Sequence, residues 1–89
     1  METVNIYRAI GKTLHELGAY RAVIVNSKAN PNAFFEMDLE IAVDGAIDIG
    51  YADKLCKEKW PNIHIELLDL NDYGNIHLMN EVIEDGIKI

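Results

Sequence analysis

The chain has 89 residues, and its 15 acidic against 8 basic residues give a formal net charge of -7. This length predicts one small domain over residues 1–89, with a thin core that a ligand, a metal ion or a second subunit in a homo-oligomer would support. The acidic balance and the lack of a Lys/Arg cluster disfavour direct nucleic-acid binding and an anionic membrane. They fit a divalent cation, a basic protein partner or solubility alone.

The sequence carries no membrane or secretion signal. No apolar run reaches the roughly 20 residues of a membrane span, and the first residues include neither a basic region nor an apolar stretch of signal-peptide length. Cys56 is the only cysteine, so one chain cannot form an internal disulfide or a cysteine-based zinc site. We therefore expect a cytoplasmic protein whose cysteine fills the core.

The first half of the chain predicts a helix followed by two strands. Apolar residues at three- and four-residue steps predict a helix over residues 4–17, with Gly18 as its C-terminal cap. The β-branched, apolar residues 20–25 predict a strand. Residues 26–37 are irregular and turn-prone, and alternation predicts a second strand over residues 38–43.

The second half predicts two more helices around a further strand. A helix over residues 48–59 starts at an aspartate N-cap and is stopped by Pro61. A third strand follows over residues 63–70, then a helix marked by apolar residues 76–83, and a short final strand at residues 87–89. This alternation predicts an α/β or α+β fold, in which helices cover one face of a small mixed sheet.

Two carboxylates occupy one face of the second strand. Asp38 and Glu40 are two residues apart, so both side chains point to the same side and can hold one hard cation between them. The flanking residues are apolar, which makes the acids conspicuous. The alternative is a solvated face of a half-exposed strand, where alternating polar residues are routine.

Glu66 is a third acid, inside the otherwise apolar strand 63–70. If this strand lies beside strand 38–43, Glu66 completes a three-carboxylate cluster with Asp38 and Glu40. Like charges at such short range repel each other unless a divalent cation lies among them. The cluster would therefore favour a metal site, whereas the alternative is that Glu66 is simply an exposed strand residue.

Asn26 and Ser27 lie where the first strand is predicted to end, before a short helical turn. Backbone N–H groups and a hydroxyl at such a junction can hold phosphate. Ser27 can equally serve as a helix N-cap with no ligand.

The histidines do not form a recognisable set of ligands. His15, His64 and His77 stand far apart, without the H-x-x-x-H type of spacing that places two ligands on one helix face. We therefore expect a structural or surface role for each of them.

Residues 23–45, VIVNSKANPNAFFEMDLEIAVDG, resemble the signature of the minimal nucleotidyltransferases of the polymerase-β superfamily. In that family a strand ends in Gly-Ser, followed by an Arg-Ala-Arg-Gly-like helical turn, a short loop, and Ser-Asp-x-Asp-Leu on the next strand. Asn26-Ser27 stands at Gly-Ser, Lys28-Ala29 at Arg-Ala, and residues 37–41 at Ser-Asp-x-Asp-Leu, without a gap. The strand around Glu66 is similar to the one that carries the family's third carboxylate, and residues 81–89 resemble its closing helix, glycine and strand.

The resemblance implies a nucleotidyltransferase-like fold and a magnesium-dependent transfer of a nucleotide, AMP first among the candidates. The substrate would be a nucleoside triphosphate, and the acceptor a hydroxyl of a protein or a small molecule. Two magnesium ions would clamp the attacking and leaving oxygens. Carried over residue by residue, the resemblance implies nucleotide binding by Asn26, Ser27 and Lys28, and catalysis and metal binding by Asp38, Glu40 and Glu66.

An alternative function follows from the positions at which the signature differs from the family pattern. Asn26 replaces a glycine, and Glu40 and Glu66 stand where aspartates are usual, each one methylene longer. Magnesium demands near-ideal octahedral geometry, so the longer glutamate side chains change how the carboxylates are placed around the ion. The alternative is a catalytically degenerate binding module, similar to the antitoxin half of a two-protein system, whose partner is a small helical toxin protein.

Overall fold

The computed structural model describes residues 3–29, 37–72 and 85–89, which form two helices and a four-stranded mixed sheet with the order β3-β2-β1-β4. The small mixed α+β fold predicted from the sequence is confirmed. The helix predicted over residues 76–83 lies outside the described residues. The elements are α1 (Thr3–Glu16), β1 (Ala19–Ala29), β2 (Met37–Gly45), α2 (Ile49–Lys59), β3 (Ile63–Asp69) and β4 (Ile87–Lys88).

Strand β2 lies between an antiparallel and a parallel neighbour. It pairs antiparallel with β1 and parallel with β3, while β4 pairs antiparallel with the other edge of β1. A parallel pair needs a crossover connection, which α2 provides between β2 and β3. The three predicted central strands therefore belong to one sheet.

One face of the sheet packs against the helices and forms the main core; we call it the helix face. Its centre is fully buried, as at Ile41 and Val43 of β2 and at Ile10 and Leu14 of α1. Helix α2 starts at the predicted N-cap, Asp48, whose carboxylate accepts from the Tyr51 N–H at 3.1 Å. Neither helix of the described part is long and apolar enough to cross a membrane.

Cys56 fills this core as expected. It is 1% exposed and lies on the inward side of α2, beside Ala52. Burial raises the pKa of the Cys56 thiol, so the group stays protonated and apolar in character. Leu55, also expected on the inward side of α2, is only half-buried.

Strand β1 is longer than predicted and is interrupted by two bulges. It continues to Ala29, because residues 26–29 pair with residues 37–40 of β2 and so satisfy their backbone groups. The register shifts once between Ala19 and Arg21 and again between Ile24 and Asn26. Each shift leaves one residue of β1 unpaired, which places two consecutive side chains on the same side of the sheet.

The first bulge explains how two consecutive residues of β1 contact one carboxylate. The Tyr20 hydroxyl and the Arg21 guanidinium both donate to Asp44 Oδ2, at 2.8 and 2.9 Å. Asp44 is only 6% exposed. The hydrogen bond from Arg21, joined by that from Tyr20, lowers the pKa of Asp44, and the bond to Asp44 raises the pKa of Tyr20. These two hydrogen bonds to Asp44 join the start of β1 to the end of β2.

Replacing Asp44 with asparagine is expected to lower the free energy of unfolding by about 1–3 kcal/mol, because it removes a charge-assisted bond from a buried position. The folded-state pKa of Asp44 is lowered, so its contribution is present above the ordinary carboxyl value of 3.8 and is lost as pH falls through the lowered value. Urea unfolding followed by Trp60 fluorescence measures this difference between pH 7 and pH 3.

The matched control is Asp53→Asn, which breaks the exposed Lys57–Asp53 pair of α2 at 2.9 Å. Such surface pairs contribute about 0–1 kcal/mol. The assignment of this stability to the ionised Asp44 would be contradicted if wild type and Asp44→Asn differed in free energy of unfolding by the same amount at pH 7 and at pH 3.

Candidate functional site

The parallel pairing of β2 with β3 brings the three acids onto one side of the sheet. Glu66 lies directly opposite Glu40, and His64 lies directly opposite Asp38. Neighbouring strands are about 4.8 Å apart, so these pairs are in side-chain reach of each other. Their side of the sheet is opposite to the helix face, since the residues between them on β2, Leu39 and Ile41, are buried in the main core. We call it the second face.

Strand β1 adds two further polar residues on the second face. Lys28 is paired with Asp38, and Asn26 is paired with Glu40. Directly opposite residues of an antiparallel pair share a face. Three strands therefore contribute two polar rows, which we call the polar cluster: Lys28, Asp38 and His64 in one row, and Asn26, Glu40 and Glu66 in the other.

The polar cluster is accessible to solvent. Asn26, Lys28, His64 and Glu66 are exposed, and Asp38 and Glu40 are half-buried. The Asp38 Oδ1 atom lies 3.3 Å from His64 Nδ1, and both side chains remain 40–49% exposed. A ligand approaching the second face could therefore reach all three carboxylates.

The two rows differ in charge. In one row, Asp38 lies between His64 and Lys28, and the charge of the lysine can offset that of Asp38. In the other row, Glu40 and Glu66 face each other as like charges, an arrangement that destabilises a strand pair. A cation shared by Glu40 and Glu66 would relieve that repulsion. Within the described ranges, however, no group of three or more His, Cys, Asp or Glu side chains converges as a metal-binding group.

Ser27 is not part of the polar cluster. It pairs with Leu39, whose side chain is buried on the helix face, and its hydroxyl lies 2.7 Å from the Tyr7 hydroxyl of α1. The bulge between Ile24 and Asn26 causes this placement, because it shifts the alternation of β1 by one residue. The expected junction of strand and helical turn is therefore replaced by continuous strand, and Ser27 and the three acids lie on opposite faces.

Next to the polar cluster the second face becomes apolar. Val23 and Ala42 are fully buried there, and Leu70 is 6% exposed. Val25 and Leu68 pack against them. The second face thus places a buried apolar stretch beside the accessible polar cluster.

The sequence predicts a structural or surface role for His64, and the structure has this residue beside Asp38. The signal for its position was present, since His64 and Glu66 are two residues apart on one strand and therefore share a face. The register between β2 and β3 decides that His64, and not Glu66, lies directly opposite Asp38, and this register cannot be read from the spacing within one strand.

Comparisons of the chain with protein-family models, with curated proteins and with solved structures find no significant match.

Proposed function

We propose that the polar cluster binds a divalent cation together with a nucleoside triphosphate, in the manner of the nucleotidyltransferases that the sequence resembles. One observation carries the proposal. Glu66 lies directly opposite Glu40 on the neighbouring parallel strand, so the three acids share one side of the sheet. The like-charge pair of Glu40 and Glu66 supports it, because that pair is unfavourable without a cation.

The chemistry assigned to each residue is limited to binding and charge. Asp38, Glu40 and Glu66 would hold the magnesium ion, which supplies positive charge at the phosphates of the nucleotide. Lys28, paired with Asp38 on the same face, is placed to attract a phosphate oxygen. Asn26, opposite Glu40, offers a neutral donor and acceptor beside the acids. Ser27 has no role here, because its hydroxyl bonds Tyr7 on the helix face.

We expect weak magnesium-dependent nucleotide binding, with transfer low or absent for the chain alone. Two of the three acids are glutamates, and misplacing reacting groups by about 1 Å can cost about 10²-fold in rate. Calorimetric titration with ATP, GTP, CTP and UTP, each with and without magnesium, measures this binding. Asp38→Asn should weaken it at least about tenfold, or about 1.4 kcal/mol, and Glu40→Asp should retain or tighten it.

The matched control is Asp53→Asn, which removes the same charge from α2, outside the polar cluster. It should leave magnesium-dependent affinity unchanged. Equal affinities for wild type, Asp38→Asn and Glu40→Asp, with and without magnesium, would show that the acids are ordinary surface residues.

A second candidate function is a binding module without catalysis, which recognises a small helical protein partner. The specific observation in its favour is the contact between Ser27 and Tyr7, which holds the hydroxyl of the nucleotidyltransferase-like signature away from the acids. Loss of all magnesium-dependent binding in the titration above would make this second function the leading one.

A further inference from the structure

Among the described residues, the outer edge of β3 has no neighbouring strand, which leaves some of its backbone groups without a partner there. β3 is the terminal strand of the described sheet. The Leu70 N–H, just past its end, donates to the Val43 carbonyl of β2 at 2.8 Å. Because backbone groups alternate along a strand, residues 66 and 68 also face β2, and the N–H and C=O groups of Ile65 and Leu67 face outward. No partner for these four groups is present in the described residues.

The two ends of the same edge are already satisfied. The Ile63 N–H donates to the Trp60 carbonyl at 3.1 Å, and the Asp69 carbonyl accepts from the Asp72 N–H at 3.2 Å. The unpaired stretch is therefore confined to the middle of β3. It offers two donors and two acceptors, which is what one short extended segment needs in order to pair.

A groove runs along this unpaired stretch, between β3 and α2. Its volume is about 420 Å³. Gly50 lies in its wall, and a Cβ built there would meet only Asp48 Oδ1, at 3.5 Å. The fold itself therefore does not require a glycine at this helical position, where alanine would be more stable by roughly 0.5–1 kcal/mol. The lack of a side chain leaves the groove open. Its lining is Ile49, Gly50, Asp53 and Lys57 of α2, and residues 64–67 of β3.

Within the described residues, β3 lacks several of the usual protections of an edge strand. Soluble proteins block such edges with short strands, charged side chains such as lysine, proline, bulges or a covering helix or loop. β3 spans seven residues, IHIELLD, with no lysine or proline, and its register with β2 is unbroken. By contrast, β4 at the other end of the described sheet has two residues.

We propose that this edge binds an extended segment of a basic protein partner, which adds to β3 as a further strand. Side chains of an added strand alternate between the two faces. On the second face they would meet the exposed carboxylate of Glu66, which favours lysine or arginine. On the helix face they would meet the half-buried side chains of Ile49 and Leu67, which favours an aliphatic residue. The segment that fits therefore alternates basic and aliphatic residues.

Charge selects this partner over a second copy of the chain. Two copies would each bring a net charge of -7, and an antiparallel pairing that joins the outward groups of Ile65 and Leu67 would set Glu66 of one copy against Glu66 of the other. Like charges directly opposite destabilise a strand pair. A basic segment converts the same positions into attractive pairs. The inference does not depend on cation binding by the polar cluster.

The test uses an acetylated, amidated heptapeptide of alternating valine and lysine as the probe, with no magnesium present. Binding to the ¹⁵N-labelled protein is followed by chemical-shift changes and by amide hydrogen exchange. At saturation, the exchange of the Ile65 and Leu67 amides should slow at least about tenfold, because both gain partners. A peptide with glutamate in place of lysine, and one N-methylated on alternate amides, should not produce this effect.

The matched protein variants are Gly50→Phe, which fills the groove, and Gly50→Ala, which does not. Gly50→Phe should lose peptide binding, and Gly50→Ala should keep it within about twofold. If Gly50→Phe fails to fold, the N-methylated peptide still tests the backbone pairing. Shifts confined to Asp38 and Glu40, unchanged binding of the N-methylated peptide, or a dimer that Gly50→Phe dissociates would each overturn the proposal.

Discussion

Gly18→Ala is expected to destabilise the protein by at least about 2 kcal/mol, because two independent costs coincide at this position. The backbone of Gly18 has φ +118°, a conformation that residues with a side chain rarely adopt. An added Cβ would also lie 2.3 Å from the Ala46 carbonyl oxygen, which is a backbone atom and cannot rotate aside. Thermal unfolding should show a midpoint lowered by about 8–16 °C.

The backbone of Gly18 packs closely against Gly45, which opposes a shift that would make room for the added Cβ. Ala19 and Gly45 are paired, and a Cβ at Gly45 would lie 2.7 Å from the Gly18 carbonyl oxygen. The two glycines thus let the end of α1 and the start of β1 approach the end of β2. Gly50→Ala is the control, since its Cβ would meet only Asp48 Oδ1, at an ordinary contact distance of 3.5 Å, and should leave stability unchanged or slightly raised. A Gly18→Ala protein within 0.5 kcal/mol of wild type would contradict this account of the turn.

Glu66→Lys is expected to have opposite effects on binding and on stability. It reverses one charge of the Glu40–Glu66 pair and replaces a cross-strand repulsion by an attraction, which should stabilise the fold by about 0.2–1 kcal/mol. The same change places an ammonium group where the proposed cation would bind. Magnesium-dependent nucleotide binding should therefore become undetectable by calorimetry, while the urea midpoint rises.

Glu58→Lys is the matched control for this reversal, because Glu58 is an exposed acid of α2 outside the polar cluster. It makes the same change in net charge, so it distinguishes an effect of the charge at position 66 from an effect of the overall charge of the protein. We expect it to leave nucleotide binding intact. If both variants weaken binding equally, the overall charge of the protein is responsible, and the local arrangement of Glu40 and Glu66 is not.

Periodicity predicts most of the secondary structure because each element buries one side. The apolar steps that include Ile10 and Leu14 predict α1, and both residues are fully buried in the main core. The alternation of residues 38–43 predicts β2 and its buried residues. The N-cap of α2 at Asp48 is also confirmed, since an aspartate before a helical pattern is a local signal that needs no tertiary information.

The shared face of the acids is predictable only in part. The two-residue spacing of Asp38 and Glu40 predicts a common side, but the position of Glu66 depends on which strands are neighbours. A helix between β2 and β3 favours a parallel pair, and the structure has this pairing. The pairing of Glu66 with Glu40 depends on the register between the two strands, which the sequence of a single strand does not specify.

The bulges of β1 are the features that sequence reasoning misses. The bulge between Ile24 and Asn26 has no composition signal, because the unpaired residue is an ordinary β-former in an apolar run. It arises from the fit of β1 to β2 and not from β1 alone. The expected location of Ser27 beside the acids is wrong for this reason.

The same bulge also decides which charged side chain of β1 belongs to the polar cluster. One unpaired residue reverses the in–out parity of every residue that follows it on β1. With no bulge after Ile24, the alternation would turn the Ser27 hydroxyl toward Asp38 and the Lys28 ammonium toward α1. The cluster would then lose a positive charge with no change in amino-acid composition. One unpaired residue in one strand thus changes the net charge of a surface to which three strands contribute.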